Sequence, residues 1–272
     1  MDMENDVKEL IRERGQAAYK LSFNCAKIAL DYLGKSKTWN KKDSSPVTEA
    51  DLAIDLYLQK NIKELFPTDA ILSEEAEDNS NRQESDICWI IDPIDGTKEF
   101  IKKTNEFCVM IGICFKGDPL FGVIHIPLTK EVFYGGPEFG VTLKKDGENI
   151  ILPEIEPEGN RVLVSRSHRK DIVLPYVEEF GLNGISCGSS GVKACRLIDQ
   201  TAHHYIHGTT IHEWDTAAAD AILRGAGGYF TDISGQPITY NKSIPEVNGV
   251  IGSFSQNAVN NISEFFAERV SF

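Results

Sequence analysis

Two aspartates three positions apart close an apolar run in Trp89–Phe100, WIIDPIDGTKEF, and carboxylates so placed can do two kinds of work. Asp92-Pro93 and Asp95-Gly96 are turn-forming pairs, so the stretch reads as a tight turn carrying an aspartate cap. It reads equally as a site for a hard divalent cation, which gathers carboxylate, carbonyl and hydroxyl oxygens at one point. Pro93 fixes the local backbone, and Gly96 lets a ligand approach the main chain. A helix starting at Thr97 would aim its first amides at a phosphate. Carboxylates for metal and fixed donors for phosphate oxygens are the parts that phosphoryl transfer needs.

Other acids sit in comparable settings. Glu74 and Glu75 follow the short apolar run from Ala70, Asp215 opens an alanine-rich helix, and Thr48-Glu-Ala-Asp51 has the spacing of a capping box. Taken singly, each has a plain structural reading: an acidic loop in solvent, a helix cap, a capping box.

The elements that would position these groups follow from periodicity. Val7, Leu10, Ile11, Ala18, Leu21, Ile28 and Tyr32 recur at helical spacing, which predicts a helix over about 5–33, with Gly34 as its stop. A second helix is expected from Thr48 to Phe66, ended by Pro67. Strand-like runs at 87–91, 107–115, 120–126, 132–134, 141–144 and 150–152 are joined by short turns, which predicts an antiparallel sheet with helices on it. The segment Pro153–Gly159 holds two prolines and no periodicity, so a boundary is expected near residue 157. Beyond it strands (161–165, 184–187, 202–206, 228–232, 249–253) alternate with helices (172–180, 190–198, 214–224), and a helix at 259–268 closes the chain. The expected organisation is an α+β half over 1–157 and an α/β half over 158–272.

The chain has 272 residues, 41% hydrophobic and 25% charged, with 28 basic and 41 acidic side chains and a net charge of −13. Such a field excludes nucleic acid and anionic membrane as expected partners, and it admits a small phosphorylated substrate only where cations reverse it locally. The N-terminus MDMENDVKEL lacks the character of a signal peptide, and no run is long enough to span a bilayer. Six scattered cysteines without a CxxC pair read as reduced thiols, so a cytoplasmic protein is expected.

SPVTEAD (Ser45–Asp51), LSEE (Leu72–Glu75), WIIDPIDGTKEF and EWDTAAADAILRGAGG (Glu213–Gly228) occur in the order seen in the inositol monophosphatase superfamily of magnesium-dependent, lithium-sensitive phosphomonoesterases. The sequence resembles that superfamily from about residue 45 to 253. Lys98-Glu99-Phe100-Ile101, GDPLFGVIHIP and CGSSGVKACRLIDQTAHHYI (Cys187–Ile206) resemble its bacterial 3′(2′),5′-bisphosphate nucleotidase branch. The resemblance implies a layered α/β/α/β/α sandwich, two or three Mg2+ ions, and, by analogy alone, a homodimer. It implies that Glu74, Asp92 and the Ile94 carbonyl, with Thr97 nearby, hold one metal, and that Asp92, Asp95 and Asp215 hold a second. Glu74 with its waters would support a third. Asp51 would accept a hydrogen bond from Thr97, and that pair would orient and deprotonate the attacking water. Gly96 and Thr97 amides would grip the phosphate, with Lys98, Ser190, Lys193 and Asp215 as further substrate contacts. The implied reaction removes the 3′-phosphate of adenosine 3′,5′-bisphosphate to give AMP. An inositol monophosphatase or broad sugar phosphatase on the same metals is the alternative.

Three features depart from the pattern. Inositol phosphatases typically carry an acid where this chain has Gly208, which would leave room for a larger leaving group. Where relatives often have an acid-Gly pair, this chain has Asp199-Gln200-Thr201. His203, His204, His207 and His212 cluster, and they read as surface or pocket-rim residues because magnesium prefers oxygen. Lys102, Lys103, Arg166, His168 and Arg169 are weaker candidates for a second phosphate.

Overall fold

The structure, a computed structural model, describes residues 5–41, 45–78, 80–167 and 170–269. Helix α1 (Asn5–Tyr32) buries Ile11, Ala18, Leu21, Cys25 and Ala29 on one stripe. Two three-residue strands, β1 (Thr38–Asn40) and β2 (Pro46–Thr48), pair as a ribbon that leads into α2 (Glu49–Leu65). In α2, Ala50, Ile54, Leu58 and Ile62 repeat every four residues and are fully buried.

A seven-stranded sheet follows: β3 (Ala70–Ser73), β4 (Ile87–Asp95), β5 (Cys108–Phe115), β6 (Asp118–Ile126), β7 (Glu131–Gly136), β8 (Gly140–Lys145) and β9 (Glu148–Ile150), in that spatial order. β3 and β4 are parallel, and the remaining pairs are antiparallel. The short helix α3 (Thr97–Ile101) interrupts the chain after β4. Residues 151–160 carry no helix or strand.

The second sheet contains β10 (Arg161–Ser165), β11 (Asn183–Cys187), β12 (His204–His212), β13 (Tyr229–Asp232) and β14 (Glu246–Ser253), in the order β11-β10-β12-β14-β13. Between these strands run α4 (Lys170–Glu179), α5 (Ser190–Ile198) and α6 (Ala217–Gly225), and α7 (Gln256–Ala267) follows β14.

Alternation along β4 sorts the layers. Ile87, Trp89 and Ile91 pack with α1 and α2, whereas Cys88 and Ile90 pack with α5, α6 and inward residues of the second sheet. Val173, Tyr176, Val259, Ile262 and Phe266 of α4 and α7 cover the far face of that sheet against Val162, Val164 and Ile251. The result is the expected five-layer α/β/α/β/α sandwich, with α5 and α6 shared between the sheets.

Two glycines seat α6. A Cβ at Gly112 would lie 2.8 Å from the Ala217 Cβ, and one at Gly122 would lie 2.3 Å from the Ala218 carbonyl oxygen. Only glycine in β5 and β6 lets the alanine-rich helix come this close to the sheet. All six cysteines are free and buried, and no helix among the described residues is long and apolar enough to cross a membrane.

Candidate active site

Strand β4 does not stop at Ile91 as the apolar run suggests; it continues through Asp95. Its register against β5 slips on the way, because Asp92 pairs with Met110 and Asp95 with Cys108, so three steps on β4 match two on β5. In a regular strand residues three apart point to opposite faces. The bulge, with Pro93 inside it, restores parity, so Asp92 and Asp95 both fall on the face that carries Cys108 and Met110.

Asp215 reaches the same face from the other half of the chain, on a 3-10 turn (Glu213–Asp215) between β12 and α6. The helix expected from Trp214 therefore begins at Ala217, one turn later. Carboxylate oxygens of Asp92, Asp95 and Asp215 lie within 4.8 Å of one another. They open on a cavity of about 440 Å3 also lined by Glu74, Ile94, Gly96, Thr97 and Lys98.

Each acid is held by its own contacts. Asp95 Oδ2 accepts the Gly191 N–H at 2.6 Å and the Ser189 hydroxyl, both at the start of α5. Asp215 Oδ2 accepts the His212 N–H at 3.0 Å. Asp92 is 1% exposed, and its Oδ1 has no hydrogen-bond partner among the described residues. Burial, reinforced by Glu74, Asp95 and Asp215, pushes the Asp92 carboxyl well above the ordinary range. Burial also raises Asp215, followed by repulsion from Asp95 and Glu74. A buried carboxylate oxygen left without a partner, in the middle of other acids, is the chemistry of a cation ligand.

Glu74 lies on the cavity wall but outside the three-acid cluster, and Lys41 binds both Glu74 and Glu75 at 2.7 Å. Burial, with Glu74 next in effect, pushes Glu75 up to about 7. Lys41 was not singled out in the sequence, where it is one lysine of a polar loop.

Gly96 has φ +90°, and a Cβ there would meet the Glu106 carbonyl oxygen at 2.8 Å, so the turn into α3 requires glycine. The Thr97 hydroxyl lies 3.5 Å from Asp51 Oδ1 and 3.3 Å from the Ile94 carbonyl. Asp51 also completes the capping box of α2, its Oδ2 accepting the Thr48 N–H at 2.9 Å and the Thr48 hydroxyl at 2.5 Å. Burial raises its carboxyl to about 6, although the two Thr48 bonds oppose the shift.

Among the substrate candidates, Lys98 is exposed on the cavity rim. Lys193 is 1% exposed, with its ammonium 2.9 Å from the Ser189 carbonyl and 5.1 Å from the Tyr205 ring centroid. The Ser190 hydroxyl accepts from Tyr205 at 3.3 Å. Lys102 and Lys103 are exposed and are not among the cavity residues. Arg166 is committed elsewhere: its guanidinium pairs with Glu106 at 2.6 Å and with buried Glu99 at 3.3 Å. His168 and Arg169 lie outside the described residues.

Two readings need correction. His203, His204 and His207 are buried, not surface residues, and the His204 ring bridges the Ser253 hydroxyl and the Gly159 carbonyl at 3.0 Å each. His207 and His212 do line the cavity, and His212 stacks on Trp214 with the ring centroids 4.6 Å apart and the planes within 6°. Gly208 does not enlarge the cavity, because its absent Cβ points at Ile172 and Val173 of α4, 2.7 and 3.1 Å away. The β12–β14 register irregularity between His207 and Thr210 redirects the strand there, and Thr210 lines the cavity instead. The third departure resolves simply: Gln200 adopts φ +60°, the glycine-like conformation, with its side chain bonded to the Glu156 N–H and the Leu197 carbonyl at 2.8 Å.

The family model for the inositol monophosphatase family matches residues 11–265. The chain belongs to this family. A curated relative, the 3′(2′),5′-bisphosphate nucleotidase CysQ of Aggregatibacter actinomycetemcomitans, is 35% identical over 76% of this chain and 80% of its own. The crystal structure of CysQ from Bacteroides thetaiotaomicron superposes with TM-score 0.77 at 27% identity, covering 89% of this chain and 98% of that one. An IMPase of Thermotoga maritima superposes with TM-score 0.79 at 24% identity, covering 95% of this chain and all of that one, and so shares the fold of the family.

Proposed function

We propose that this inositol monophosphatase family member is a magnesium-dependent, lithium-sensitive 3′(2′),5′-bisphosphate nucleotidase that removes the 3′-phosphate of adenosine 3′,5′-bisphosphate. One observation carries the catalytic half of this reading: buried Asp92 has an Oδ1 without a partner among the described residues, and carboxylate oxygens of Asp92, Asp95 and Asp215 lie within 4.8 Å of one another. The donor set is all oxygen, which suits magnesium. Asp92, Asp95, Asp215, Glu74 and the Ile94 carbonyl would hold it. When bound, magnesium supplies Lewis acidity at the phosphoryl oxygens and lowers the pKa of water there.

This chain's own groups do the rest. Thr97 and the Gly96 turn fix the scissile phosphate, with the α3 amides turned toward it. The Thr97 hydroxyl, directed at Asp51 Oδ1, orients the attacking water and passes its proton toward that carboxylate. The water oxygen forms the new P–O bond, the ester P–O bond breaks, and the freed 3′-oxygen takes up a proton.

The nucleotide half rests on the curated relative's activity and on the cavity wall. The parallel His212–Trp214 pair offers a flat π-surface for a purine, and Lys98 and Lys193 offer positive charge for the second phosphate. Gly208 supplies no argument against inositol phosphates, so substrate rates must decide.

The test measures phosphate release from adenosine 3′,5′-bisphosphate, inositol 1-phosphate and fructose 1,6-bisphosphate, with and without Mg2+ and Li+. The expected result is strong preference for the nucleotide, abolished without Mg2+ and suppressed by Li+. Faster release from inositol 1-phosphate would overturn the substrate while leaving the metal site standing. An Asp92→Asn variant that is folded and fully active would overturn the metal site.

A further inference from the structure

Glu213 and Arg82 are opposite charges, 0% and 3% exposed, that do not pair with each other. Both bind one loop. Glu213 accepts the N–H groups of Asn241 at 2.7 Å and Lys242 at 3.1 Å, and the Lys242 ammonium stands 3.9 Å away. Arg82 donates to the Asn241 side-chain oxygen at 2.6 Å and the Lys242 carbonyl at 2.5 Å, while the Asn241 amide returns a bond to the Arg82 carbonyl at 3.2 Å. The same guanidinium holds Asp78 at 2.6 and 3.1 Å. Asn241 is held at φ +60°, a region in which Asn is favoured over most other non-glycine residues.

These contacts join two places. Asp78 and Arg82 lie on the segment that leaves β3 through Glu74, and Glu213 begins the turn that ends at Asp215. We propose that Arg82, Asn241 and Glu213 form a positioning bridge that sets Glu74 and Asp215, carboxylates from opposite halves of the chain, in register for a divalent cation. The inference rests on the metal site proposed above. A single loop saturated from both sides by buried charges transmits no slack, because each charge loses its compensation if the loop shifts. None of the three residues touches the cation, so the bridge acts through geometry, in the manner of groups that orient metal ligands from behind.

Calorimetric titration of the metal-free full chain with Mg2+ reads the effect directly. Glu213→Gln and Arg82→Lys should each weaken Mg2+ binding by ~10-fold or more, the scale typical of supports behind metal ligands. Asn241→Gly is the sharper variant. Glycine accepts the positive φ without strain, so the fold is retained, yet both side-chain bonds to Arg82 are lost, and Mg2+ affinity should fall all the same. Glu213→Gln and Arg82→Lys together should cost less than the product of the single losses, since both break one bridge. Val259→Ala, in α7 on the far side of the second sheet, should lower the melting temperature and leave Mg2+ affinity unchanged. No Mg2+ binding by the wild-type chain would remove the metal site and the bridge's purpose with it. Wild-type affinity in Asn241→Gly and Glu213→Gln, beside a binding wild type, would overturn the bridge alone.

Discussion

Replacing Gly122 with alanine tests whether the sheet-to-helix distance sets the proposed metal site. The added methyl would lie 2.3 Å from the Ala218 carbonyl oxygen and 2.9 Å from Ile222 Cγ1. The first obstacle is backbone, which has no rotamer to escape into, and ordinary contact begins near 3.4 Å. Helix α6 must therefore retreat by about 1 Å, and overpacking of this kind costs ~1–3 kcal/mol. Ala217, the first residue of α6, follows Asp215 by two positions, so the retreat moves Asp215 away from Asp92 and Asp95, which are fixed to β4. A displacement of ~1 Å can cost ~100-fold in rate where geometry is tight. Urea unfolding should show the stability loss, and Mg2+-dependent phosphate release at a temperature where the variant is folded should show a higher Mg2+ requirement and lower turnover. A variant with the wild-type unfolding midpoint would refute the seating of α6. Lowered stability with unchanged Mg2+ requirement and turnover would refute the coupling between that seat and Asp215.

Three further outcomes are expected. Burial lowers His125 from 6.5 to about 4, so the folded state favours the neutral ring; stability from this group is complete above pH 6.5 and is lost as pH falls toward 4. Over that window the wild type should lose up to ~3 kcal/mol relative to His125→Gln, read from urea midpoints at each pH, and parallel curves would contradict the burial argument. Asp51→Asn keeps an oxygen for the Thr48 cap but removes the charge facing Thr97, so kcat should drop ~100-fold or more with little change in KM; an unchanged kcat would exclude Asp51 from proton handling. Gly208→Ala should lower stability by ~1–2 kcal/mol through its contact with Ile172 and Val173, without shifting the ratio of nucleotide to inositol phosphate turnover, because position 208 faces α4. A shifted ratio would return the glycine to the cavity wall.

Local pattern made most of the scaffold legible. The one-stripe periodicity of α1, the four-residue repeat of α2 and the continuous apolar run of β4 are each visible within a short window, and the structure bears them out within a few residues. What escaped depends on partners distant in the chain. Arg82 and Asn241 are 159 residues apart, and nothing in NRQES marks the arginine as buried. The histidines looked solvated because a period-two pattern cannot know that Gly159 and Ser253 close over His204. Gly208 misled because residue spacing assumes a regular strand, and β12 is irregular between His207 and Thr210. The bulge at Asp92–Asp95 was hidden in the same way, although Pro93 was its one visible sign.

The capping reading of the acidic motifs leaves room for the proposed metal site, because a carboxylate has two oxygens. Asp51 gives Oδ2 to the capping box of α2 and turns Oδ1 toward Thr97. Asp95 gives Oδ2 to the Gly191 amide and the Ser189 hydroxyl at the start of α5, and Asp215 gives Oδ2 to the amide at the head of its own turn; in each, Oδ1 takes no part in the cap. Such a cap fixes the side-chain torsions, so the second oxygen is aimed before any ligand arrives, and little entropy remains to be lost on binding. Asp92 is the exception, with no cap and an unpartnered Oδ1, and it sits among the others. Its position is set by the strand bulge and by burial, with Glu74 beside it. A cation at the proposed site would satisfy these oxygens together, and the turn-forming chemistry of Asp-Pro and Asp-Gly would then be the means by which the chain aims them.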